Sequence, residues 1–250
     1  MTKPIGLQLY TVRNALAEDF AGTIERIAEI GYTAVETAGF PGTTPQEAAA
    51  LFQQLGLQVA GAHSPLPLGD KQNEVLENMD ALGAKYLICA YMPPESFQTY
   101  HSIASICDQL NEASAVTRSR GITMVYHNHW WEYTPVGDML PYRSMLDFLD
   151  PAVKLELDVY WAKVGGCDPV AVLEELGDRV SLLHVKDGSA VRDDPQLAVG
   201  EGVLDYTTII PAAKHAEYMI VELDRCATDM MEAVEKSYVY LTEQGLAHGR

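Results

Sequence analysis

The stretch Ser119–His129, SRGITMVYHNH, decides the fold. A helical segment ends at Gly121, a short apolar and β-branched run follows, and two histidines close it. Gly121 stands where a helix can finish in the left-handed conformation, which glycine adopts without a Cβ penalty. The same order recurs in EIGYTAVETA (Glu29–Ala38), QLGLQVAGAH (Gln54–His63), ALGAKYLICAY (Ala81–Tyr91) and ELGDRVSLLHVKD (Glu175–Asp187), with Gly31, Gly56, Gly83 and Gly177 at the junctions. Three more apolar runs, IGLQLY (Ile5–Tyr10), VKLELDVYW (Val153–Trp161) and YMIVELD (Tyr218–Asp224), bring the strands to eight.

The helices between them carry their own start signals. Thr44 precedes Pro45, Asp168 precedes Pro169, and DMMEAVEKSYVYLTEQG (Asp229–Gly245) spaces its apolar residues three and four apart. The strands are apolar along their length, as strands covered on both faces are. Eight βα units in 250 residues predict an α/β fold, a (β/α)8 TIM barrel occupying residues 1–250 as one domain. An open doubly wound sheet is the competing architecture. It wants a glycine-rich loop after the first strand, and Leu7–Phe20 contains no glycine.

Composition narrows the function. Hydrophobic residues make up 48% and charged residues 21%, which suits a globular protein with a sizeable core. With 35 acidic against 17 basic residues the net charge is −18, which argues against nucleic acid or an anionic membrane as partner. The start MTKPIGLQLY shows no secretory leader, and no apolar run reaches membrane-spanning length. Cys89, Cys107, Cys167 and Cys226 are scattered with no CxxC pair, so a cytoplasmic protein with reduced thiols is expected.

In such a barrel the active site lies at the C-terminal ends of the strands. Those ends carry Gln8 and Tyr10, Glu36, His63, His127 and His129, Glu156 and Asp158, His184 and Lys186, and Glu222 and Asp224. Residues two apart share a strand face, which groups His127 with His129, His184 with Lys186, and Asp158 with Glu156 and Tyr160. Singly, each has an ordinary explanation: a hydrogen-bonded core histidine, or an aspartate capping the next helix, as Asp187 and Asp224 can do. Together, imidazoles and carboxylates from separate strands suit a divalent ion.

The segments GLQLYTVR, YHNHWWEY, KLELDVYWAKVGG, LLHVKD, VGEGVLDY and IVELD resemble the sugar phosphate isomerase/epimerase family of xylose-isomerase-like TIM barrels, over nearly the whole chain. The resemblance implies one divalent metal ion, Mn2+ first, with Mg2+, Zn2+ and Co2+ as alternatives, held by residues of strands five to eight. Carried over, Asp158, His184 and Glu222 are metal ligands. Strand five has no glutamate at the usual depth, so His127 is taken as the fourth; three protein ligands completed by water are the alternative. Glu132 stands where relatives place a substrate-binding glutamate.

Two glutamates on opposite faces of a keto-sugar are the family's usual proton carriers. Here Glu222 serves one face, and Glu132 or His129 the other, with Lys186 on an oxyanion. Tyr10, His63, Trp131 and Trp161 are the expected substrate contacts; Trp130, too, can stack on a pyranose, and core packing explains all three tryptophans equally well. VGEGVLDY (Val199–Tyr206) has no basic residue, so an unphosphorylated sugar is preferred. The implied activity is isomerisation or epimerisation of a keto-sugar through an enediolate. The alternative is a lyase or dehydratase acting on a 3-keto-sugar, keto-glycoside or keto-inositol. A small sugar is the implied partner, and a homo-oligomer is compatible with the fold. Endonuclease-type members need more histidine ligands and a basic groove. A non-catalytic sugar-binding relative remains as a separate class.

Overall fold

The computed structural model describes residues 2–250. Eight parallel strands form in chain order: β1 (Lys3–Gln8), β2 (Ala34–Thr37), β3 (Gln58–His63), β4 (Tyr86–Cys89), β5 (Thr123–His127), β6 (Lys154–Asp158), β7 (Val180–Val185) and β8 (Tyr218–Val221). Each pairs with its successor, and β1 pairs with both β8 and β2, so the sheet closes. Helices cover the outside, and the expected (β/α)8 barrel is the fold. A short ninth strand, β9 (Ala247–His248), lies parallel to the start of β1, which no pattern in the sequence signalled. Among the described residues no helix is long and apolar enough to cross a membrane.

Local chemistry sets the element ends. The Thr44 hydroxyl accepts from the Glu47 amide while the Glu47 side chain returns to the Thr44 amide, a reciprocal cap on the helix Pro45–Gln54. Asp168 and Asp229 cap the helices Pro169–Leu176 and Met230–Glu243 singly, accepting from the Ala171 and Glu232 amides. Gly31 closes the helix Phe20–Ile30 with φ of 117°, and a Cβ there would strike Tyr238. Gly177 departs from the expected left-handed closure, with ψ of −122°.

Two strands end sooner than expected. Asp158 Oδ1 accepts from the Trp161 amide at 2.8 Å, which starts a helix at Val159. Tyr160 and Trp161 therefore sit on a helical turn, not on a strand face with Asp158. Gln8 acts likewise on β1, accepting from the Tyr10 amide at 3.0 Å and turning Leu9–Val12 into a 3-10 helix.

The barrel interior has two layers. Ala34, Val125, Leu182 and Ile220, with Ala60, Tyr86 and Ile88, fill the lower part with apolar side chains. Two residues further along β2, β5, β7 and β8 come Glu36, His127, His184 and Glu222, all buried. Because the strand period is two, whatever stands two positions beyond the apolar plug must face the same interior. The much larger apolar core lies between the strands and the helices.

Asp187, a candidate helix cap, does something else. Its carboxylate accepts from the amides of Gly188, Gly200, Gly202 and Leu204 at 2.9, 3.0, 3.1 and 3.2 Å, fastening the VGEGVLDY loop beneath the barrel mouth. A Cβ on Gly202 would collide with that carboxylate. Asp205, by contrast, does cap the helix Tyr206–Ala212. Removing the carboxylate breaks the buried bonds to Gly188 and Leu204 and two part-buried ones, a buried amide left unsatisfied costing about 1–3 kcal/mol. Asp187→Ala should therefore lower stability by on the order of 3 kcal/mol, read as a fall in melting temperature of several degrees. An unchanged melting temperature would show that the loop does not depend on this contact.

Candidate metal centre and active site

Four of the expected residues converge. One donor atom each from His127, Asp158, His184 and Glu222 lies within 4.8 Å of all the others, and all four residues are buried. Asn128, which sequence reasoning missed, locks the β5 and β6 ends together. Its Oδ1 accepts from the Asp158 amide at 2.9 Å and its Nδ2 donates to the Asp158 carbonyl at 3.2 Å. Asp158 Oδ1 is committed to the Trp161 amide, whereas buried Asp158 Oδ2 meets only the Lys186 ammonium and His127 Nδ1 only a carboxylate oxygen of Glu156, neither in hydrogen-bond geometry. Two imidazoles and two carboxylates, with donor atoms not committed to hydrogen bonds, make a set that fits a divalent ion.

Lys186 is embedded beside this group. Its Nζ lies 3.0 Å from Asp158 Oδ2, 2.7 Å from Glu222 Oε2 and 2.9 Å from Asp224 Oδ2, and 5.4 Å from the Trp161 ring centre. Burial alone would lower the ammonium's pKa, but the three carboxylates hold it well above the usual lysine value. Glu222 responds in kind: burial opposes its ionisation, and Lys186 with His184 holds it well below the usual carboxylate range. Asp158 is raised, since burial outweighs Lys186. His127 is lowered by burial and by the neighbouring imidazoles of His184 and His129, which keeps it neutral and able to ligate.

Beside this group lies a second cluster containing His63, which had been expected only to touch substrate, with Glu36 and Glu156. The His63 Nε2 is 3.0 Å from Glu36 Oε1 and 3.1 Å from Glu156 Oε2. His184 reaches the same two oxygens with its Nε2, at 2.8 and 3.1 Å, while its Nδ1 lies 2.8 Å from Glu222 Oε2. Gln8 Nε2 donates to Glu36 Oε1 at 2.6 Å. Burial lowers His63, yet Glu36 and Glu156 carry it up to about 9. The signal for Glu36 and Glu156 was present, since both sit on inward-facing alternations beside recognised residues.

The mouth above is a cleft of about 550 Å3 whose lining includes Tyr10, His63 and Tyr91. Tyr10 and Tyr91 are exposed there. Trp131 stacks on His129 with ring centres 4.3 Å apart and planes 6° from parallel, and Tyr91 meets both edge-on. Burial, then the Lys186 charge, lowers His129 to about 4, so it is a neutral imidazole at neutral pH. Trp161 is buried beneath Lys186 and is a wall of the ammonium's pocket. Trp130 packs under the Arg192 guanidinium at 4.8 Å instead of facing the cleft. Tyr91 follows β4 in a loop and had no periodic signal to reveal it.

Glu132 corrects the expectation that it faces substrate. The 3-10 turn Trp131–Tyr133 folds its side chain back beside Tyr126, on the outer side of β5. There Oε1 accepts from the Tyr126 hydroxyl at 2.5 Å and Oε2 from the His129 amide at 3.0 Å. Both oxygens are spent on holding the turn. Burial raises its pKa to about 8, against the pull of those hydrogen bonds.

Comparison with known proteins places this geometry. A dehydratase, inosose dehydratase of Geobacillus kaustophilus (strain HTA426), is 26% identical over 212 residues, covering 75% of this chain and 67% of the relative. A sugar phosphate isomerase/epimerase structure from Parabacteroides distasonis ATCC 8503 superposes with a TM-score of 0.83 at 25% identity, covering 99% of this chain and 96% of that one. The IOLI protein, solved with a zinc atom bound, superposes with a TM-score of 0.71 at 16% identity over 98% of each chain. The family model described as xylose isomerase-like TIM barrel matches residues 24–238, and the chain belongs to that family.

Proposed function

We propose that the protein is a metal-dependent isomerase or epimerase of an unphosphorylated keto-sugar, acting through an enediolate, as one domain in the cytoplasm. The observation that carries this is the position of Lys186 and Glu222, in contact at the top of a donor set of two imidazoles and two carboxylates. The likeness to a sugar phosphate isomerase/epimerase supports the class, and the zinc atom bound in the IOLI protein supports a divalent ion as the cofactor. The four cysteines are free thiols, in keeping with a reducing compartment.

A divalent ion held by His127, Asp158, His184 and Glu222 would supply a Lewis acid for the substrate carbonyl. The chain's own groups do the rest. Glu222, kept ionised by Lys186 and His184, takes the proton from the carbon next to the carbonyl. Lys186 stabilises the negative oxygen that results. Isomerisation returns that proton from Glu222 to the neighbouring carbon on the same face. The adjacent hydroxyl meanwhile gives up its proton and the former carbonyl oxygen gains one, a transfer the Lys186 ammonium can carry. Epimerisation delivers the proton to the opposite face through the neutral His129 imidazole as a relay. The ring gives its N–H proton to carbon while taking one from solvent at its other nitrogen, and Glu222 releases to solvent the proton it took. Tyr10, Tyr91 and Trp131 offer aromatic faces to the ring.

A dehydratase is the second reading, favoured by the inosose dehydratase likeness and by one distance. Lys186 Nζ lies 2.7 Å from Glu222 Oε2, so a base and an acid stand together on one face. Glu222 then takes the carbon-bound proton while the Lys186 ammonium gives one to the departing hydroxyl, and water leaves. NMR of a keto-sugar panel in D2O separates the two: isomerisation or epimerisation loses no water and takes up deuterium to the extent that the transferred proton exchanges with solvent, whereas elimination releases water and forms an unsaturated product. In either case Glu222→Gln should cut turnover by about 10²-fold or more, and His184→Ala should lower bound metal sharply. Full turnover in the first variant with the metal retained would sink both readings.

Glu132 belongs to the scaffold of this site, because it anchors the amide of His129 and thereby aims that imidazole. Its folded pKa of about 8 lies above the ordinary 4.5, so the folded state holds an extra proton between those values. Stability from this group is therefore complete below pH 4.5 and is lost as pH rises through 8. Glu132→Gln mimics the protonated acid and removes that dependence. Melting temperatures of the metal-free protein should fall more steeply from pH 5 to 8 in the native chain than in the variant, with the gap levelling above pH 8. Parallel curves would refute the assignment.

A further inference from the structure

We infer that Asp224 and Gln196 are positioning residues: Gln196 clasps Asp224, and Asp224 keeps the Lys186 ammonium aimed at the reacting oxygen. The tether rests on the isomerase reading only for the reaction it serves. Three carboxylates surround the ammonium. Asp224 Oδ2 accepts a hydrogen bond from it at 2.9 Å, Glu222 Oε2 lies 2.7 Å away, and the Asp158 contact at 3.0 Å lacks hydrogen-bond geometry. Asp158 and Glu222 belong to the donor set that fits a divalent ion, and Glu222 also meets the substrate proton. Asp224 belongs to neither task. Its charge stays with Lys186 when ion and substrate draw on the other two.

Asp224 lies past the end of β8 with its side chain 34% exposed, open enough to turn to water unless it is held. Gln196 holds it with both amide atoms. Its Nε2 donates to Asp224 Oδ2 at 3.0 Å, and its Oε1 accepts from the Asp224 amide at 2.7 Å. Arg13 adds a bond at 2.8 Å to the Asp224 carbonyl. Asp224 Oδ2 thus accepts from two donors on different segments, which fixes its place. Gln196 is buried although Val191–Pro195 before it are all exposed, and a buried amide has partners for a reason. Its own backbone is fastened as well: the amide donates to the Arg225 carbonyl and the carbonyl accepts from the Ala227 amide, each at 3.0 Å, a one-residue parallel bridge opposite Cys226.

The chemistry of an amide suits this place. A guanidinium or ammonium beside Asp224 would take its charge away from Lys186, and a carboxylate would repel it. A neutral donor fixes the oxygen and leaves its charge to the ammonium. The Trp161 ring, 5.4 Å from Nζ, stands against the ammonium as well, so the flexible four-carbon stem of Lys186 is confined between ring and carboxylate. A group that must meet a developing negative oxygen gains from such confinement, because a misplacement of about 1 Å costs rate steeply.

Two variants of the full chain test this. Gln196→Met, close in volume, removes both bonds to Asp224, and Asp224→Asn removes the charge. Among the described residues Lys186 is the only buried lysine, so in the 15N-labelled protein its ammonium should give the one persistent lysine N–H signal in a proton–nitrogen correlation spectrum, with or without Zn2+. That signal should shift or broaden in both variants. Turnover of the keto-sugar substrate should fall on the order of 10- to 100-fold, with KM, bound Zn2+ and the cooperative melt unchanged, the pattern of an interaction made only in the transition state. A native chain with no persistent ammonium signal, or a Gln196→Met signal identical to the native one, overturns the tether. Loss of bound Zn2+ or of the cooperative melt in Gln196→Met does so too, since Gln196 would then support the fold alone. An altered signal in both variants, with no turnover of any keto-sugar by the native chain, keeps the tether and removes the isomerase reading.

Discussion

The constraint that organises this molecule is the burial of carboxylates inside a closed barrel. Glu36, Glu156, Asp158 and Glu222 lie at the C-terminal ends of strands with almost no exposure. A carboxylate in that setting needs a counter-charge or enough donors, or it takes up a proton. Lys186 and the imidazoles of His63 and His184 provide the counter-charges, each within 3.2 Å of at least two acidic oxygens. The apolar plug of Ala34, Val125, Leu182 and Ile220 makes the constraint strict. It seals the barrel one layer below, so water cannot relieve these charges from that side.

The same charges explain why the surrounding loops are tied so firmly. Asn128 bonds the β6 backbone through both its amide atoms, and Glu132 holds the His129 amide from behind. Asp187 gathers four amides of its own turn and of the VGEGVLDY loop. Donor atoms that must meet within a few tenths of an ångström need supports of this kind, because a ligand shell gains nothing from side chains free to wander. At the mouth, by contrast, Tyr10 and Tyr91 stand exposed.

Much of this could be read from the chain itself, for identifiable reasons. Helix–glycine–strand junctions are local, so SRGITMVYHNH and its counterparts announced the barrel. Inward positions follow from a period of two, so His127, His184 and Glu222 were legible from their apolar neighbours two residues back. Local chemistry that overrides period escaped. In VKLELDVYW the apolar run continues past Asp158, but that residue's own side chain caps Trp161 and ends the strand. Glu132 was misplaced because a 3-10 turn reverses the direction of its side chain, and nothing in YHNHWWEY distinguishes a turn that presents a glutamate from one that hides it. Tyr91 and Asn128 act through a loop and through backbone contacts, which carry no periodic signature. Resemblance supplied roles where period supplied only directions.

The one departure from the family's ligand pattern has a physical counterpart. Strand β5 offers His127 where a glutamate is expected, which would leave the interior with one negative charge fewer. The missing carboxylate is found one strand over: Glu156 Oε2 lies 3.2 Å from His127 Nδ1, on β6, two positions before Asp158. Pairing aligns His127 with Glu156 directly, so the two side chains enter the barrel at the same height. Exchanging the charge between neighbouring strands keeps the total charge of the interior and moves it sideways at one height, toward His63 and Glu36. The group of His127, Asp158, His184 and Glu222 is then less anionic than one with three carboxylates would be. Glu156 instead joins Glu36 around the His63 and His184 imidazoles. The histidine in the opening motif and the acidic pair around His63 are thus two sides of one exchange between neighbouring strands.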